Sequence, residues 1–264
     1  MRNHSHEYLA DVIAKTEGEA FHKFIQRAAV YREPVGATAF VGLGGEQFLD
    51  TGVDLTLVER EEVTRDEFVY WVTPVIRDAM WGNLTADEKL EMHAHAYQWY
   101  DAWISGSSES DYRYLEEAVR HALEVGNIRG ACPHVRALGQ YFDRMVLYRQ
   151  GRAIMETVAV RVSDAVIEEA KAEKDIAVSL FLNTYTTSLW KLGDLKKAIW
   201  YLEKELAIKL EGILFIFHGN YAFMHHGFLV KPGMTHLENA CNCHSCESRN
   251  PCLLTVKKFF TLLF

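Results

Sequence analysis

Apolar residues recur at helical spacing along most of the first 211 positions. In "EGEAFHKFIQRAAVY", residues 17–31, Phe21, Phe24, Ile25, Ala28 and Ala29 share one helical face, predicting a core-facing helix that ends by Pro34. "VGATAFVGL" and "GEQFLDTGV" predict two short helices broken by Gly42, Gly44, Gly45 and Gly52. The period then changes. "DLTLVER" alternates Leu55 and Leu57 with polar neighbours, "EFVYWVT" is aromatic and β-branched, and the charged "EREEVTRDE" between them predicts a β-hairpin with a polar tip. Pro74 opens the next helix, "PVIRDAMWGNL", at a position where its missing N–H costs nothing.

Residues 85–211 read as helix throughout. Thr85 with Glu88 is a capping box ahead of "ADEKLEMHAHAYQWYDAWI", and "DYRYLEEAVRHALEVGN" stops at Gly126-Asn127. "DIAVSLFLNTYTTSLWKLGDLKKAIWYLEKELAIK" predicts two helices joined at Gly193-Asp194. That pair resembles a tetratricopeptide repeat, with Leu182, Leu189, Gly193, Ala198, Leu202 and Leu206 at the expected offsets and Glu205 where a small residue is usual. "VRALGQYFDRMVLYRQGRAIMETV" is similar, with Leu138, Gly139 and Phe142, but has Gly151 where an Ala is expected. Gly139 and the equivalent Thr186 stand 47 residues apart, against a usual period of about 34, so the repeats are irregular.

Three helices, a hairpin and a further helix follow the order of a winged-helix unit. "RAAVYREPVGATAF" and "LVEREEVTRDEFVYWVTPVIRDAMWGNLTADEKLEMHAHAYQWY" resemble the winged-helix segment, continuing into helical repeats, that follows the nucleotide-binding module of STAND-type (NB-ARC-like) signalling ATPases. The resemblance implies a C-terminal fragment of a bacterial signalling protein, in which the winged-helix unit packs on the nucleotide module and helps hold the resting state. The expected fold class is mainly α: a winged-helix-like unit with a small β-hairpin, then a tetratricopeptide-like array. The expected divisions are an extension at 1–15, the winged-helix-like domain at 16–84, the helical array at 85–211 and a non-domain tail at 212–264.

Composition breaks near residue 211. Of the 36 acidic residues only Glu238 and Glu247 lie beyond it, whereas four of the five cysteines do. In "ENACNCHSCESRNPC", Cys243 and Cys246 have knuckle-like spacing, and Cys241, His244, Cys252 or His236 could complete a zinc set. The other spacings are irregular, and "HGFLVKPGMT" and "CHSCESRNPCLL" resemble translated forms of a dispersed bacterial palindromic repeat. A repeat-derived or frameshifted tail is therefore the expectation, with a zinc-binding tail as the alternative. Ile213–Val230 has membrane-spanning length but includes three His, an Asn and two Gly, a costly content for a lone span.

A net charge of -8 disfavours polyanionic partners. Residues 21–80 hold six basic against ten acidic residues, and "GEQFLDTGVD" has no basic residue, so duplex binding by a winged-helix transcription regulator with a helical sensor domain is the less favoured alternative. There is no phosphate-binding loop with its Lys; "VGLGGEQF" reads as a loop between short helices, and neither nucleotide nor another cofactor is expected. Two residues apart on one helix, His93 and His95 point to different faces, one packed and one exposed, which argues against a shared metal or an acid/base pair. No catalytic residue is assigned. Aromatic sets, Tyr97, Trp99, Tyr100 and Trp103, then Tyr185, Trp190, Trp200 and Tyr201, suit core or inter-repeat packing, with Tyr185, Trp190, Trp200 and Tyr201 also candidates for a partner groove. Glu168, Glu169, Lys171 and Lys174 suit surface ion pairs. No basic start precedes an apolar run at the N-terminus, so the expectation is a cytoplasmic, non-enzymatic module that binds a protein or peptide.

Overall fold

A computed structural model describes residues 17–65, 67–107, 111–173 and 175–218. The first part runs α1 (Glu19–Ala28), β1 (Val35–Gly36), α2 (Thr38–Val41), a 3-10 turn (Glu46–Phe48), α3 (Leu49–Asp54), β2 (Val58–Thr64), β3 (Glu67–Val72) and α4 (Pro74–Gly82). The expected hairpin forms with Val58 opposite Val72 and Arg60 opposite Tyr70. Its first strand begins three residues later than the Leu55 alternation suggests, because Thr56 takes a left-handed turn conformation at φ 59°. The short β1, which has no pattern of its own, pairs with β3 through Val35 and Tyr70, so the sheet has three antiparallel strands in the order β1-β3-β2. Tyr70 and Val72 face a core built on Phe21, Phe24, Ile25 and Phe40.

Then come α5 (Ala86–Gly106), α6 (Tyr112–Glu124), α7 (Ile128–Arg144), α8 (Tyr148–Ala159), α9 (Asp164–Glu173), α10 (Ile176–Lys191) and α11 (Leu195–His218). The capping box is complete at α5: Thr85 N–H donates to Glu88 and Glu88 N–H donates to Thr85 Oγ1. The α5–α6 hairpin belongs to both halves. Met92, Ala96, Tyr100 and Ala118 complete the sheet-bearing core, while Leu115, Val119 and Ala122 start the core of the helical array. At the far end α11 runs seven residues past the composition break at 211. "EGILFIFH" has lost its amphipathic period but holds no Pro and no Gly after Gly212, so nothing in it stops a helix before Gly219.

The helices stack as pairs, α5/α6, α7/α8 and α10/α11. His134 of α7 pairs with Asp101 of α5, an offset of 33 residues. Between α7 and α10 the offset is larger and nearly the same at both ends. Arg129 pairs with Asp175 at one end, 46 residues on, and Lys191 pairs with Asp143 at the other, 48 residues on, so the two helices run parallel and in step. The added length is α9, a ten-residue helix inserted between the pairs and docked on α11 through Lys204 and Asp164 at 2.9 Å. The irregular spacing of Gly139 and Thr186 is thus an insertion in a regular stack.

Small residues set the approach within a pair. A Cβ on Gly139 would lie 2.6 Å from Met155 Sδ, and one on Gly151 would lie 3.0 Å from Phe142 Cβ, so α7 and α8 close over two glycines. Glu205, where a small residue is usual, is fully buried and accepts from Asn183 Nδ2 while pairing with Lys209. That contact supplies the partner a buried carboxylate needs. None of the described helices is long and apolar enough to cross a membrane.

Candidate functional site

The densest polar chemistry among the described residues lies at the seam between the sheet-bearing unit and α5–α6. On α6, Glu117, Arg120 and His121 stand at i, i+3 and i+4, so one face carries a carboxylate, a guanidinium and an imidazole. All three sit against protein: Glu117 is 8 % exposed and His121 is 0 % exposed. Arg120 Nε donates to one oxygen of Glu117, and its Nη2, with two hydrogens, lies against the other Glu117 oxygen, the Val30 carbonyl after α1 at 3.3 Å and His121 Nε2 at 2.8 Å, which share them. Across the helix pair, His121 Nδ1 lies 2.8 Å from Nδ1 of His93, and Tyr100 stacks on the His121 ring at 5.7 Å.

The ring tautomers are assigned from these contacts. A guanidinium can only donate, so His121 Nε2 carries a lone pair and the ring's proton sits on Nδ1. That N–H donates to His93 Nδ1, which leaves the His93 proton on Nε2. The result is one directed chain in which Arg120 donates to Glu117 and to His121, and His121 donates to His93.

Both imidazoles are held neutral. Burial, with repulsion from Arg120, pulls His93 down to about 4, and burial outweighs the nearby Glu117 to pull His121 down to about 3. Burial would raise Glu117, but contacts with His121 and Arg120 more than offset it and the carboxyl sits at about 2. Arg120 is the dominant partner at neutral pH, since His121 Nε2 stands 3.5 Å from the carboxylate and accepts from Arg120. An unfolded histidine titrates near 6.5, so below that pH the unfolded chain takes up protons that the folded chain refuses. Stability is complete above about pH 6.5 and falls as pH drops toward 4 and then 3, at about 1.4 kcal/mol per pH unit for each ring that differs. Urea midpoints measured from pH 7.5 to 4.5 are expected to fall steadily below pH 6.5; a flat profile would mean that the rings are solvated.

His93 also lines a cavity of about 640 Å³ between the end of α1, α4, the start of α5 and α6. Four permanent cations reach it: Arg32 after α1, Arg77 on α4, Lys89 on α5 and Arg120 on α6. Only two carboxylates do, Asp78 and Glu124. Arg120 is committed to the buried chain. Arg77 has a 3.4 Å contact with its neighbour Asp78, and Lys89 lies 5.9 Å over the Trp81 ring. Arg32 makes no hydrogen bond or ion pair among the described residues. Its guanidinium is drawn below the usual range by partial burial and by repulsion from Arg120 and Arg77. Trp81, set edge-on to His93 at 5.2 Å, and Leu90 give the cavity an apolar wall.

The residues singled out from sequence separate. Tyr185 and Tyr201 are buried and pack against each other at 4.9 Å, so they belong to the core and not to a groove. Trp190 and Trp200 are exposed on the same helical pair, with Lys204 4.2 Å over the Trp200 ring. Of the two histidines, expected as one packed and one exposed, neither is exposed: His93 is buried, and His95 is half-buried on the opposite face, its Nε2 3.2 Å from the Ala39 carbonyl. Tyr100 is fully buried, Trp99 packs on Tyr31 at 5.9 Å, and Trp103 packs on Tyr114 at 4.6 Å, all as packing partners. The Lys171–Glu168 surface pair forms at 2.6 Å, and Lys174 lies outside the described residues. Gly42 and Gly45 of "VGLGGEQF" admit the rings of His95 and Phe24, which occupy the space their Cβ atoms would need. Cys241, Cys243, His244, Cys246 and Cys252, with His236, also lie outside the described residues. Among those described, no group of three or more His, Cys, Asp or Glu is arranged to hold a metal ion. The seam itself was missed because it joins residues 28 apart on different helices, although Glu117, Arg120 and His121 at helical spacing are visible in "EEAVRHALE".

Compared with known proteins, the chain matches no family model, no curated protein and no solved structure.

Proposed function

We propose that this chain is a non-catalytic interaction module, a winged-helix-like unit fused to tetratricopeptide-like helical pairs, of the kind that follows the nucleotide-binding module in STAND-type signalling proteins. The observation that carries this reading is the in-step stacking of α10 on α7, with offsets of 46 and 48 residues at the two ends, after a first step of 33 from α5 to α7. Stacked helical pairs bury a continuous core and leave one face of the first helices as an extended surface for a peptide. The order helix, strand, two helices, hairpin, with strand order β1-β3-β2, supports the winged-helix-like reading of the first part. Charge favours a protein partner over DNA. The third helix region presents Glu46, Asp50 and Asp54, the hairpin presents Glu59, Glu61 and Glu62, and Arg60 there is engaged by Asp50 and the Phe68 ring.

Selection of peptides from a displayed library on the purified chain tests the reading. Binders are expected to lose affinity with Gln140→Glu on α7 or Thr187→Glu on α10, and a duplex at low salt is expected not to bind. Tight, salt-dependent duplex binding, or selected peptides indifferent to both substitutions, would contradict it.

A further inference from the structure

We propose that the cavity at the seam is a binding site for a small phosphate-bearing anion, held by Arg32, Arg77 and Lys89 with the Nε2–H of His93 as the innermost donor.

Three independent features point to that ligand. The first is an excess of positive charge: with Arg120 neutralised by Glu117, Arg32, Arg77 and Lys89 stand against Asp78 and Glu124 in one concavity, in a protein whose overall charge is -8. Like charges gathered against the net trend oppose one another until an anion enters. The second is unused hydrogen-bonding capacity. Arg32 has no partner among the described residues, and Arg77 has only the long contact with Asp78. Each guanidinium therefore keeps a planar fork of donors that suits phosphate oxygens. The third is a buried donor. His93 lines the cavity at 9 % exposure, and with its Nδ1 occupied by His121 its remaining N–H is on Nε2. A buried, neutral imidazole in the same wall as the cations distinguishes a built site from a solvated basic surface.

The buried chain gives the site its polarity. Because Arg120 donates to His121 and His121 donates to His93, His93 can offer only a donor to the cavity. Glu117 neutralises Arg120 within the protein, so the charge left for a ligand comes from Arg32, Arg77 and Lys89. The volume, about 640 Å³, exceeds that of a lone phosphate and lies within the range of small-molecule sites. Trp81 and Leu90 offer apolar contact to an organic body attached to the phosphate.

Isothermal titration of the full chain with inorganic pyrophosphate, at constant ionic strength of about 0.05 M and again at about 0.15 M, tests the site. One-to-one binding is expected, weakened about tenfold or more by Arg32→Gln and by Arg77→Gln. Unchanged melting temperatures would show that both variants fold, and Lys196→Gln, on exposed α11, is expected to bind as the parent chain does. Adenosine diphosphate and pyrophosphate form the two arms. Equal affinity means that only phosphate is read, and tighter nucleotide binding that the Trp81 wall takes part; either supports the site. No saturable binding in either arm, or binding that survives both arginine substitutions, would overturn it.

Discussion

Replacing Arg120 with methionine is expected to cost about 3–5 kcal/mol of folding stability, the largest effect of any single polar substitution at the seam. The substitution keeps much of the side-chain volume and removes only the donors. Glu117 then remains buried as a carboxylate without its cation, His121 Nε2 loses the donor that fixes its tautomer, and the Val30 carbonyl loses its link to α6. Each of those groups was desolvated on folding, and the penalty of leaving it unpaired exceeds the modest net worth of the bonds. Lysine is expected to recover only part, since one ammonium cannot reach both carboxylate oxygens, a carbonyl and a ring nitrogen together. The double substitution Arg120→Met with Glu117→Met should be much closer to the parent chain than the single one, because it removes the buried charge along with its partner. Urea denaturation of the three variants measures this; a loss below about 1 kcal/mol for the single change would place Glu117 in contact with water.

The second large effect is steric. Alanine at Gly45 is expected to cost about 3 kcal/mol, at the upper end of the usual overpacking range. Its Cβ would fall 1.7 Å from Cδ2 of Phe24 and 2.3 Å from Cε2. That ring is enclosed by Phe21, Phe40 and Phe48 at centroid distances of 6.4, 6.0 and 5.8 Å, so it has no free volume to enter. Gly45 has φ -137°, an ordinary value for any residue, so the cost is collision alone. Its neighbour Gly44 reverses the causes: φ is +71° and nothing lies within 4 Å of a Cβ there, so alanine should cost about 1–2 kcal/mol through backbone conformation. In a Phe24→Leu background the Gly45→Ala cost should shrink while the Gly44→Ala cost should not, a difference that a double-mutant cycle resolves.

These two sites show where sequence patterns carry structure and where they stop. Local periodicity was enough for most of the helices from α1 to α11, because each amphipathic face, cap and Gly stop lies within a few neighbouring residues, but it did not separate α9 from the helical stretch around it or carry α11 past residue 211. The hairpin followed from β-branched and aromatic alternation. β1 did not, since two residues have no period and Val35 becomes a strand only by meeting Tyr70. The three glycines of "VGLGGEQF" gave the loop but not its purpose, which depends on Phe24 and His95 arriving from α1 and α5. Repeat spacing was legible as an irregular 47 residues, yet only the packing of α9 on α11 explains it as an insertion.

The seam is the extreme case. The sequence places His93 and His95 on different faces of α5 without saying which is packed; the partner of His93, His121, lies 28 residues away, and the cations of the cavity come from four separate elements. No local window contains that arrangement. Tyr185 and Tyr201 follow the packing reading of aromatic residues at helical spacing, turned inward by the fold, whereas Trp200 of the same set stays outside.

The directed chain from Arg120 through His121 to His93 joins the stability of the seam to the character of its cavity. Long-range proton–nitrogen correlation spectra of the histidine side chains, recorded at pH 7, test it most directly. Two neutral rings of opposite tautomer are predicted, His121 with its proton on Nδ1 and His93 with its proton on Nε2, both unchanged as the pH is lowered to 5.5. A charged ring at either position in that range, or His121 protonated on Nε2, would contradict it.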